Sequence, residues 1–181
     1  MILHIPKVTP WMTETGFKHK VQAGAKIHSL ITGFRWKQGM KIEFIEGDIS
    51  TIPIPFTLPY KDVASKWTTE KNKDGELIDY PVCCAIEDFK IWITKMKVGD
   101  PDFVKNVSYQ FEIKFKIGSI YFDTEELFDL IAMNDGFDSR EDFLQWFIES
   151  AKKKMTNYLE GQVIHWTTNV YDSSTAKVMY V

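Results

Sequence analysis

A run of strict alternation in the second half of the chain constrains the fold more than any other feature. From Val107 to Ile117 every second residue is apolar, and the residues between are polar or charged. Successive side chains of a strand point to opposite faces of a sheet, so this pattern predicts a strand with one face in a core and one in solvent. Because parallel strands are usually covered on both faces, a one-sided strand indicates an antiparallel sheet.

Further strands are predicted on both sides of this run. Shorter strands are expected at Ile2–Ile5, Met40–Ile45 and Gln162–Trp166. Between residues 82 and 93 the apolar positions change parity, which predicts one long strand with a β-bulge near Glu87–Asp88. Together these make about five or six strands, enough to close a small barrel.

Two helices are predicted in the second half of the chain. Asp123 or Thr124 is a suitable N-cap for a helix that runs to Met133, with two glutamates in its first turn, where the helix dipole favours acids. Ser139 caps a second helix from residue 140 to about residue 158, whose apolar stripe is expected to be buried. The lysines at positions 152 to 154 lie near its end and predict a solvated terminus.

Residues 47–80 are predicted to form one long irregular insertion in a single domain of residues 1–181. Two prolines within Ile52–Phe56 each remove a donor from a sheet ladder, and Thr68–Gly75 is polar. Connections of this length are usually functional or mobile. The alternative is a decoration that packs on the barrel through its aromatic side chains, which are Phe56, Tyr60 and Trp67.

Composition excludes several classes of protein. The net charge of -3 gives no overall basic character, so any nucleic-acid contact must be a local patch. Cys83 and Cys84 are neighbours that cannot easily bridge, and neither they nor the four histidines have the spacing of a metal site, so we expect no metal and no cofactor. No segment approaches the ~20 apolar residues of a membrane helix, so we expect no membrane contact and a cytoplasmic location.

Two distant segments carry the most distinctive motifs. The first, Lys26–Phe44, starts Lys-Ile-His-Ser and continues through Arg-Trp-Lys into a predicted strand; the second, Asn134–Phe147, starts Asn-Asp-Gly-Phe. Together they resemble the ASCH domain family, in particular its lysine-x-histidine-threonine loop and the helix junction of its small phage and bacteroidete members. The resemblance covers residues 17–46 and 82–171. It implies an α+β fold, a small mixed PUA-like β-barrel flanked by helices, and a role in RNA binding or, in one branch, deacetylation of a modified cytidine.

The resemblance also implies a catalytic trio. The deacetylating branch uses a loop lysine, a hydroxyl residue three positions later and an acid at the helix junction, and these match Lys26, Ser29 and Asp135. A desolvated lysine can act as base toward a hydroxyl, which then attacks an amide carbon, while the acid orients the lysine or protonates the leaving amine. The sequence departs from the family at three positions, with serine for threonine, aspartate for glutamate, and Ile31 where an arginine is expected. The alternative for these residues is a surface lysine, a loop hydrogen bond and a helix-terminating turn.

A ligand-binding surface is predicted from the charges around the first motif. Residues 26–46 contain four basic and two acidic side chains, a local excess of +2. Arg35, Trp36 and Lys37 place an aromatic ring between two cations, which is typical of surfaces that stack a base and contact phosphates. The alternative for Trp36 is a half-buried core residue with snorkelling neighbours.

Two further residues are assigned to the same predicted cleft. Asn134 opens the second motif, and His28 lies beside Lys26, where it is interpreted either as a ligand contact or as a structural hydrogen bonder. The leading hypothesis is a nucleic-acid or nucleoside-binding module that binds RNA or a modified nucleotide at the barrel mouth. The alternatives are an amidohydrolase acting on 4-acetylcytidine and a phage-encoded protein that blocks a host protein partner through the insertion and Trp67.

Overall fold

A computed structural model describes residues 1–10, 13–47, 54–58, 64–98, 108–172 and 177–180. In this part of the chain the fold is mixed α+β and rich in strands. The elements in chain order are β1 (Ile2–Ile5), α1 (Phe17–Gln22), β2 (His28–Thr32), β3 (Glu43–Glu46), β4 (Ile54–Phe56), β5 (Trp67–Lys71), β6 (Leu77–Pro81), β7 (Ala85–Val98), β8 (Ser108–Ile117), β9 (Ile120–Phe122), α2 (Glu125–Asn134), α3 (Arg140–Lys153), β10 (Tyr158–His165), β11 (Asn169–Asp172) and β12 (Lys177–Tyr180).

The largest sheet is antiparallel, as the alternating run predicted. Its strand order is β2-β10-β7-β8-β9. Phe115 and Ile117 are buried on the core face of β8, whereas Phe111 is exposed further along the strand. The predicted bulge near Glu87–Asp88 is wrong, because the pairing of β7 with β10 advances one residue at a time through this region. The change of parity has another cause: Ile86 packs against the core on the face opposite to the buried Phe89.

The predicted barrel is not closed in the part of the chain that the structure describes. The strands form four separate sheets, and the five-stranded sheet is open, with β2 and β9 at its edges. Strand β1 pairs in parallel with β3 and does not extend the edge of β2. Just before β2, the Ile27 N–H donates to the Asn134 carbonyl at 3.0 Å, so the end of α2 lies beside the start of this edge.

The predicted insertion is more regular than its sequence indicates. Strand β4 pairs with β3, and β5 and β6 form a hairpin. Phe56 stacks on Phe44 with ring centroids 5.4 Å apart, and the half-buried Trp67 donates its Nε1–H to the Ala64 carbonyl. Phe56 and Trp67 both pack against the hydrophobic core, and Tyr60 lies outside the described residues.

Of the two candidate N-caps for α2, Asp123 and Thr124, the structure has Thr124, and the predicted Ser139 cap of α3 is confirmed, but α3 is shorter than expected. Thr124 accepts a hydrogen bond from the Leu127 N–H, and Ser139 accepts one from the Asp142 N–H. Helix α3 ends at Lys153, and Met155 adopts a left-handed φ of 52°. The following N–H groups bond back to the last carbonyls of the helix in a Schellman arrangement, so the chain turns into β10 before residue 158. No helix in the described ranges is long and apolar enough to cross a membrane.

Helices α2 and α3 pack on one face of the five-stranded sheet. Phe115 of β8 contacts Phe128 of α2 and Phe143 of α3, with ring centroids 6.3 and 5.9 Å apart. Stacked and edge-on contacts of this kind add to the free energy of burying large rings. The packing fixes the C-terminal end of α2 beside β2, and the two distinctive motifs meet there.

Candidate functional site: a cleft at the edge of strand β2

The C-terminal end of helix α2 carries a carboxylate and a main-chain carbonyl that the capping turn leaves free, both from Asp135. Asp135 is its C-cap and Gly136 follows with a left-handed φ of 86°. The Gly136 N–H donates to the Met133 carbonyl and the Phe137 N–H to the Ala132 carbonyl, which is a Schellman motif. The Asp135 carbonyl is left free to accept from a side chain, and the negative end of the helix dipole favours a cation at this point.

Lys26 supplies that cation from a fully buried position. Its side chain is 2% exposed, and its Nζ donates to both the Asp135 carbonyl and Asp135 Oδ1 at 2.5 Å. The ammonium also lies 4.9 Å from the centre of the Phe17 ring. The other side of the Lys26 stem touches Gly136, where an added Cβ would lie 3.0 Å from Lys26 Cδ. The lysine is therefore held by a carboxylate, a helix terminus and an aromatic ring.

Burial changes the proton affinity of both partners. Desolvation lowers the pKa of Lys26 from its ordinary value, although the Asp135 carboxylate opposes this change. Desolvation raises the pKa of Asp135 to about 6, against the opposing effects of Lys26 and of a hydrogen bond from the Leu30 N–H. Both changes reduce the free-energy gap between the ionised pair and its neutral form. A proton can consequently move between these groups at a lower cost than in water.

The predicted trio lines one cleft. Lys26, Ser29 and Asp135 all face a cavity of about 220 Å³ that opens along β2, and the remaining lining residues are His4, Pro6, Phe17, Leu30, Ile31, Thr32, Phe137, Trp146, Phe147, Ser150 and Lys154. Among the hydrogen bonds found between described residues none uses the Ser29 hydroxyl, and those of the Lys26 ammonium go to Asp135. The hydroxyl is free to meet a ligand, but it is not bonded to the lysine in this conformation.

Aromatic rings and one face of α3 complete the cleft, and sequence reasoning did not assign them to it. Phe17, Phe137 and Trp146 contact one another with centroid distances between 5.0 and 6.2 Å. Trp146, Ser150 and Lys154 follow one another at intervals of four residues, so they lie along one face of the helix and its C-cap. The four-residue spacing of Trp146, Ser150 and Lys154, next to the apolar stripe of α3, is visible in the sequence. The lysine run had been interpreted only as a solvated terminus, yet Lys154 donates to Thr32 Oγ1 at 2.9 Å on the cleft wall.

The Arg35-Trp36-Lys37 turn does not form the predicted stacking surface. Trp36 is 6% exposed and belongs to the core, while Arg35 and Lys37 point to solvent. The turn is fixed by Gln162 of β10, whose side chain accepts from the Trp36 N–H at 3.0 Å. None of the three residues lines the cleft. The Trp36 ring is buried and not available for stacking in this conformation, and its role in ligand binding stays a prediction.

His28 and Asn134 also face the interior. His28 is fully buried, and its ring lies 5.3 Å from that of His165, its partner on β10, and 5.6 Å from Tyr171. Burial lowers the pKa of His28 well below its usual value, and His165 and Lys26 act in the same direction. The Asn134 side chain donates to the Tyr171 hydroxyl at 3.3 Å. In this conformation both residues lie behind the cleft, and the residues that line it do not include them.

Behind the cleft, the buried histidines have few polar partners. Both ring nitrogens of His28 are enclosed without a hydrogen bond in the described structure. His165 Nε2 lies 2.8 Å from Glu87 Oε2, but the direction of the ring N–H does not fit a hydrogen bond. Within the described ranges no three His, Cys, Asp or Glu side chains are placed to hold a metal ion.

A second concavity lies away from these residues. A groove of about 340 Å³ runs between β3, β4 and β6 and is lined mainly by apolar residues and by Glu43 and Asp79. It contains none of the residues that the sequence assigned to a site. The cleft along β2 is smaller, but it is the one of these two concavities whose lining contains the buried Lys26–Asp135 pair, with the Ser29 hydroxyl beside it.

Comparisons with protein-family models, with curated proteins and with solved structures found no match to this chain.

Proposed function

We propose that this chain binds a nucleoside or nucleotide in the cleft along β2, and that it is a member of the ASCH family with a PUA-like fold. One observation carries the proposal: the Lys26–Asp135 pair and the free Ser29 hydroxyl share a cleft of about 220 Å³ with a cluster of three aromatic rings. Ligand pockets typically combine a mainly apolar wall with a few convergent polar groups, and this cleft does so.

The volume and wall of the cleft favour a single base over a strand of RNA. Every base has a π-face, so the exposed part of Trp146 with Phe137 and Phe17 provides a surface on which a base can stack. Polar groups stand at both ends, with Ser29 and Asp135 at one and Lys154 at the other. Since Trp36 is buried, the cleft and not the Arg35-Trp36-Lys37 turn is the place where we expect the base to bind.

Isothermal titration with the four ribonucleosides and their 5′-monophosphates tests this proposal. We expect at least one to bind, and Trp146→Ala to weaken its binding by at least tenfold, in line with the ~1–3 kcal/mol of a base–aromatic stack. Trp92→Ala is the matched control, because Trp92 is also half-buried but packs against Tyr158 on β10. The proposal fails if the unmutated protein binds none of these compounds, or if the two tryptophan variants lose affinity equally.

The free hydroxyl of Ser29 favours a second candidate, the amidohydrolase on 4-acetylcytidine. Neutral Lys26 would take the hydroxyl proton as Ser29 Oγ attacks the acetyl carbonyl; the C–N bond then breaks, the amine takes the proton, and water hydrolyses the acyl-serine to acetate. The lowered pKa of Lys26 suits this role. The reaction would require Lys26 to exchange a hydrogen bond with Asp135 for one with Ser29, since both of its bonds now go to Asp135.

Ser29→Ala distinguishes the amidohydrolase candidate from the nucleoside-binding candidate. If Ser29 is a nucleophile, the variant loses acetate release from 4-acetylcytidine but still binds cytidine, because a small hydroxyl contributes little to ground-state affinity. The aspartate at position 135 and Ile31 depart from the family pattern, so we expect no measurable turnover in the unmutated protein. Robust hydrolysis by the unmutated protein that disappears in Ser29→Ala would make the amidohydrolase the preferred function.

A further inference from the structure

One edge of strand β2 pairs with β10, and the other edge borders the cleft. The strand pairing shows which main-chain N–H and carbonyl groups point to β10 and which point to the cleft. Ile93 donates to the Asn157 carbonyl, so the odd-numbered residues of β10 bond to β7 and the even-numbered ones to β2. The Gly33 N–H accordingly donates to the Glu160 carbonyl. In β2 the odd-numbered residues therefore bond to β10, and the main-chain groups of Leu30 and Thr32 point away from the sheet.

One group on this outer edge already has a partner. The Leu30 N–H lies against the Asp135 carboxyl, where it opposes the rise in the pKa of that group. Next along the edge come the Leu30 carbonyl and the Thr32 N–H, and both residues line the cleft. No hydrogen bond found between described residues uses either group. An unpaired donor and acceptor on an edge strand are a template for a new partner.

The two groups suit a particular kind of ligand. The carbonyl of one residue and the N–H of the residue two positions later project side by side from the same edge of a strand. A planar ligand with an N–H donor beside an acceptor atom can form two roughly parallel hydrogen bonds with them. The hydrogen-bonding edge of a nucleobase has this arrangement, as does an extended peptide.

We propose that the Leu30 carbonyl and the Thr32 N–H bind the Watson–Crick edge of a nucleobase, which makes main-chain hydrogen bonding on β2 the recognition element of the cleft. This inference rests on the proposed function and specifies the part of the ligand that the protein contacts. The size of the cleft favours a base over a peptide, since about 220 Å³ holds a base or a nucleoside, whereas β-augmentation needs an open edge along several residues. The Asp135 carboxyl lies against the Leu30 N–H, and Lys154 donates to the side chain of Thr32, so the free edge is short.

Methylated nucleosides test the proposal on the ligand side. A methyl group at N3 of uridine removes the donor of its Watson–Crick edge, whereas a methyl group at C5 leaves that edge intact. We expect 3-methyluridine to bind at least tenfold more weakly than 5-methyluridine, and N6,N6-dimethyladenosine at least tenfold more weakly than adenosine, by isothermal titration. Equal affinities within both pairs would overturn the proposal, although the cleft would still be a nucleoside site.

Two substitutions at one position test it on the protein side. Thr32→Pro removes the N–H, and because that N–H points away from the sheet no ladder bond is lost. Thr32→Val keeps the N–H but loses the hydroxyl that accepts from Lys154. We expect Thr32→Pro to bind uridine or adenosine at least tenfold more weakly than Thr32→Val does, with both variants checked for folding by circular dichroism. Equal binding by the two folded variants would overturn the proposal.

Amide hydrogen exchange gives a measurement that does not depend on the folding of any variant. The exchange of the Thr32 N–H in the unmutated protein should slow at least tenfold when a saturating nucleoside is added, because the N–H then has a partner. Unchanged exchange at Thr32 in the presence of a bound nucleoside would overturn the proposal. If no nucleoside binds, the proposed function fails first. Binding of the extended peptide acetyl-Val-Thr-Val-Thr-Val-amide in place of any nucleoside would identify the edge as a peptide site.

Discussion

Two lysine–carboxylate pairs in this structure have almost the same length and opposite consequences. Lys26 Nζ lies 2.5 Å from Asp135 Oδ1, and Lys41 Nζ lies 2.6 Å from Glu70 Oε2. The side chain of Lys26 is 2% exposed and that of Lys41 is 29% exposed. Burial lowers the pKa of Lys26, whereas the hydrogen bond that Lys41 donates to Glu70 raises the pKa of Lys41.

The comparison shows that the surroundings decide what an ion pair does. Both ammonium groups are near an aromatic ring, Phe17 for Lys26 and Tyr80 for Lys41, so a cation–π contact does not distinguish them. Water solvates the Lys41 pair and screens its attraction, and its free energy is small. Water is excluded from the Lys26 pair, so each charge depends on the other and removal of one leaves the second without compensation. The surface pair is therefore a control for the cleft pair.

The largest expected effect comes from removing the lysine of each pair. We expect Lys26→Met to lower the free energy of unfolding at pH 8 by ~3–5 kcal/mol, because the Asp135 carboxylate stays buried without a partner. Lys41→Met should cost no more than ~1 kcal/mol. Urea denaturation of both variants measures this difference. Similar losses in the two variants would mean that the Lys26 pair is solvated.

The pH dependence of stability follows from the raised pKa of Asp135. Its pKa in the folded chain is about 6, and an unfolded aspartate titrates near ~3.9, so between these values the folded chain holds a proton that the unfolded chain has lost. Stability attributable to this group therefore falls as the pH rises through that window, by up to ~1.4 kcal/mol per pH unit. Lys26 has the opposite effect at higher pH. Its pKa in the folded chain is lowered, so between that pKa and the unfolded value the unfolded chain holds a proton that the folded chain has lost. Stability attributable to Lys26 therefore rises with pH in that range.

Asp135→Asn isolates this contribution from the other titrating groups. Unfolding free energies measured at half-unit steps from pH 4 to 7 should decline more steeply in the unmutated protein than in the variant. Glu70→Gln, the corresponding change in the surface pair, should leave the slope as it is. Parallel curves for the unmutated protein and Asp135→Asn would show that the carboxyl keeps an ordinary pKa.

Sequence reasoning predicted the features of the cleft that depend on local chemistry. The alternative interpretation of Asp135-Gly136, a helix-terminating turn, agrees with the Schellman motif found there. The cap at Ser139 was predicted correctly, and the cap of α2 was narrowed to Asp123 or Thr124, because a side-chain acceptor just before a polar first turn marks a helix start. The two motifs were expected at one site, and the structure places Lys26, Ser29 and Asp135 along one cleft. Their role in catalysis stays a prediction.

Features that depend on tertiary packing could not be predicted in this way. Lys26 and Trp36 occur in similarly polar sequence, yet the structure buries both, Lys26 against the end of α2 and Trp36 in a turn whose main chain bonds to Gln162 of β10. The free edge of β2 depends on the parallel pairing of β1 with β3, which no pattern in either short strand specifies. Without that pairing a closed barrel was the natural expectation, and in a closed barrel β2 would have no edge for a ligand.

Substitution of Gly136 should have an intermediate effect on the free energy of unfolding. It tests how rigidly the main chain at the end of α2 holds the Lys26 side chain. Gly136→Ala strains a left-handed residue and brings a Cβ to 3.0 Å from Lys26 Cδ, so the lysine stem must shift. We expect a loss of about 2 kcal/mol in the free energy of unfolding, ~1 kcal/mol of it from backbone strain. Gly118→Ala is the matched control, because Gly118 also has a positive φ but a Cβ there meets nothing within 4 Å. Equal losses would mean that Lys26 adapts freely, and the cleft would be less rigid than its packing indicates.

The smallest expected effect is the response of each pair to salt. At an ionic strength of about 1 M the screening length is only ~3 Å, so the contribution of Glu70 to stability, ~1 kcal/mol or less, should disappear. Ions do not enter the space between Lys26 and Asp135, because both side chains are buried, so the loss caused by Lys26→Met should persist in salt. Urea titrations of Lys26→Met and Glu70→Gln at about 0.05 M and 1 M sodium chloride make the test, with the unmutated protein measured at both concentrations. If salt reduced the cost of Lys26→Met as much as that of Glu70→Gln, water would reach the pair, and desolvation could not account for the altered proton affinities in the cleft.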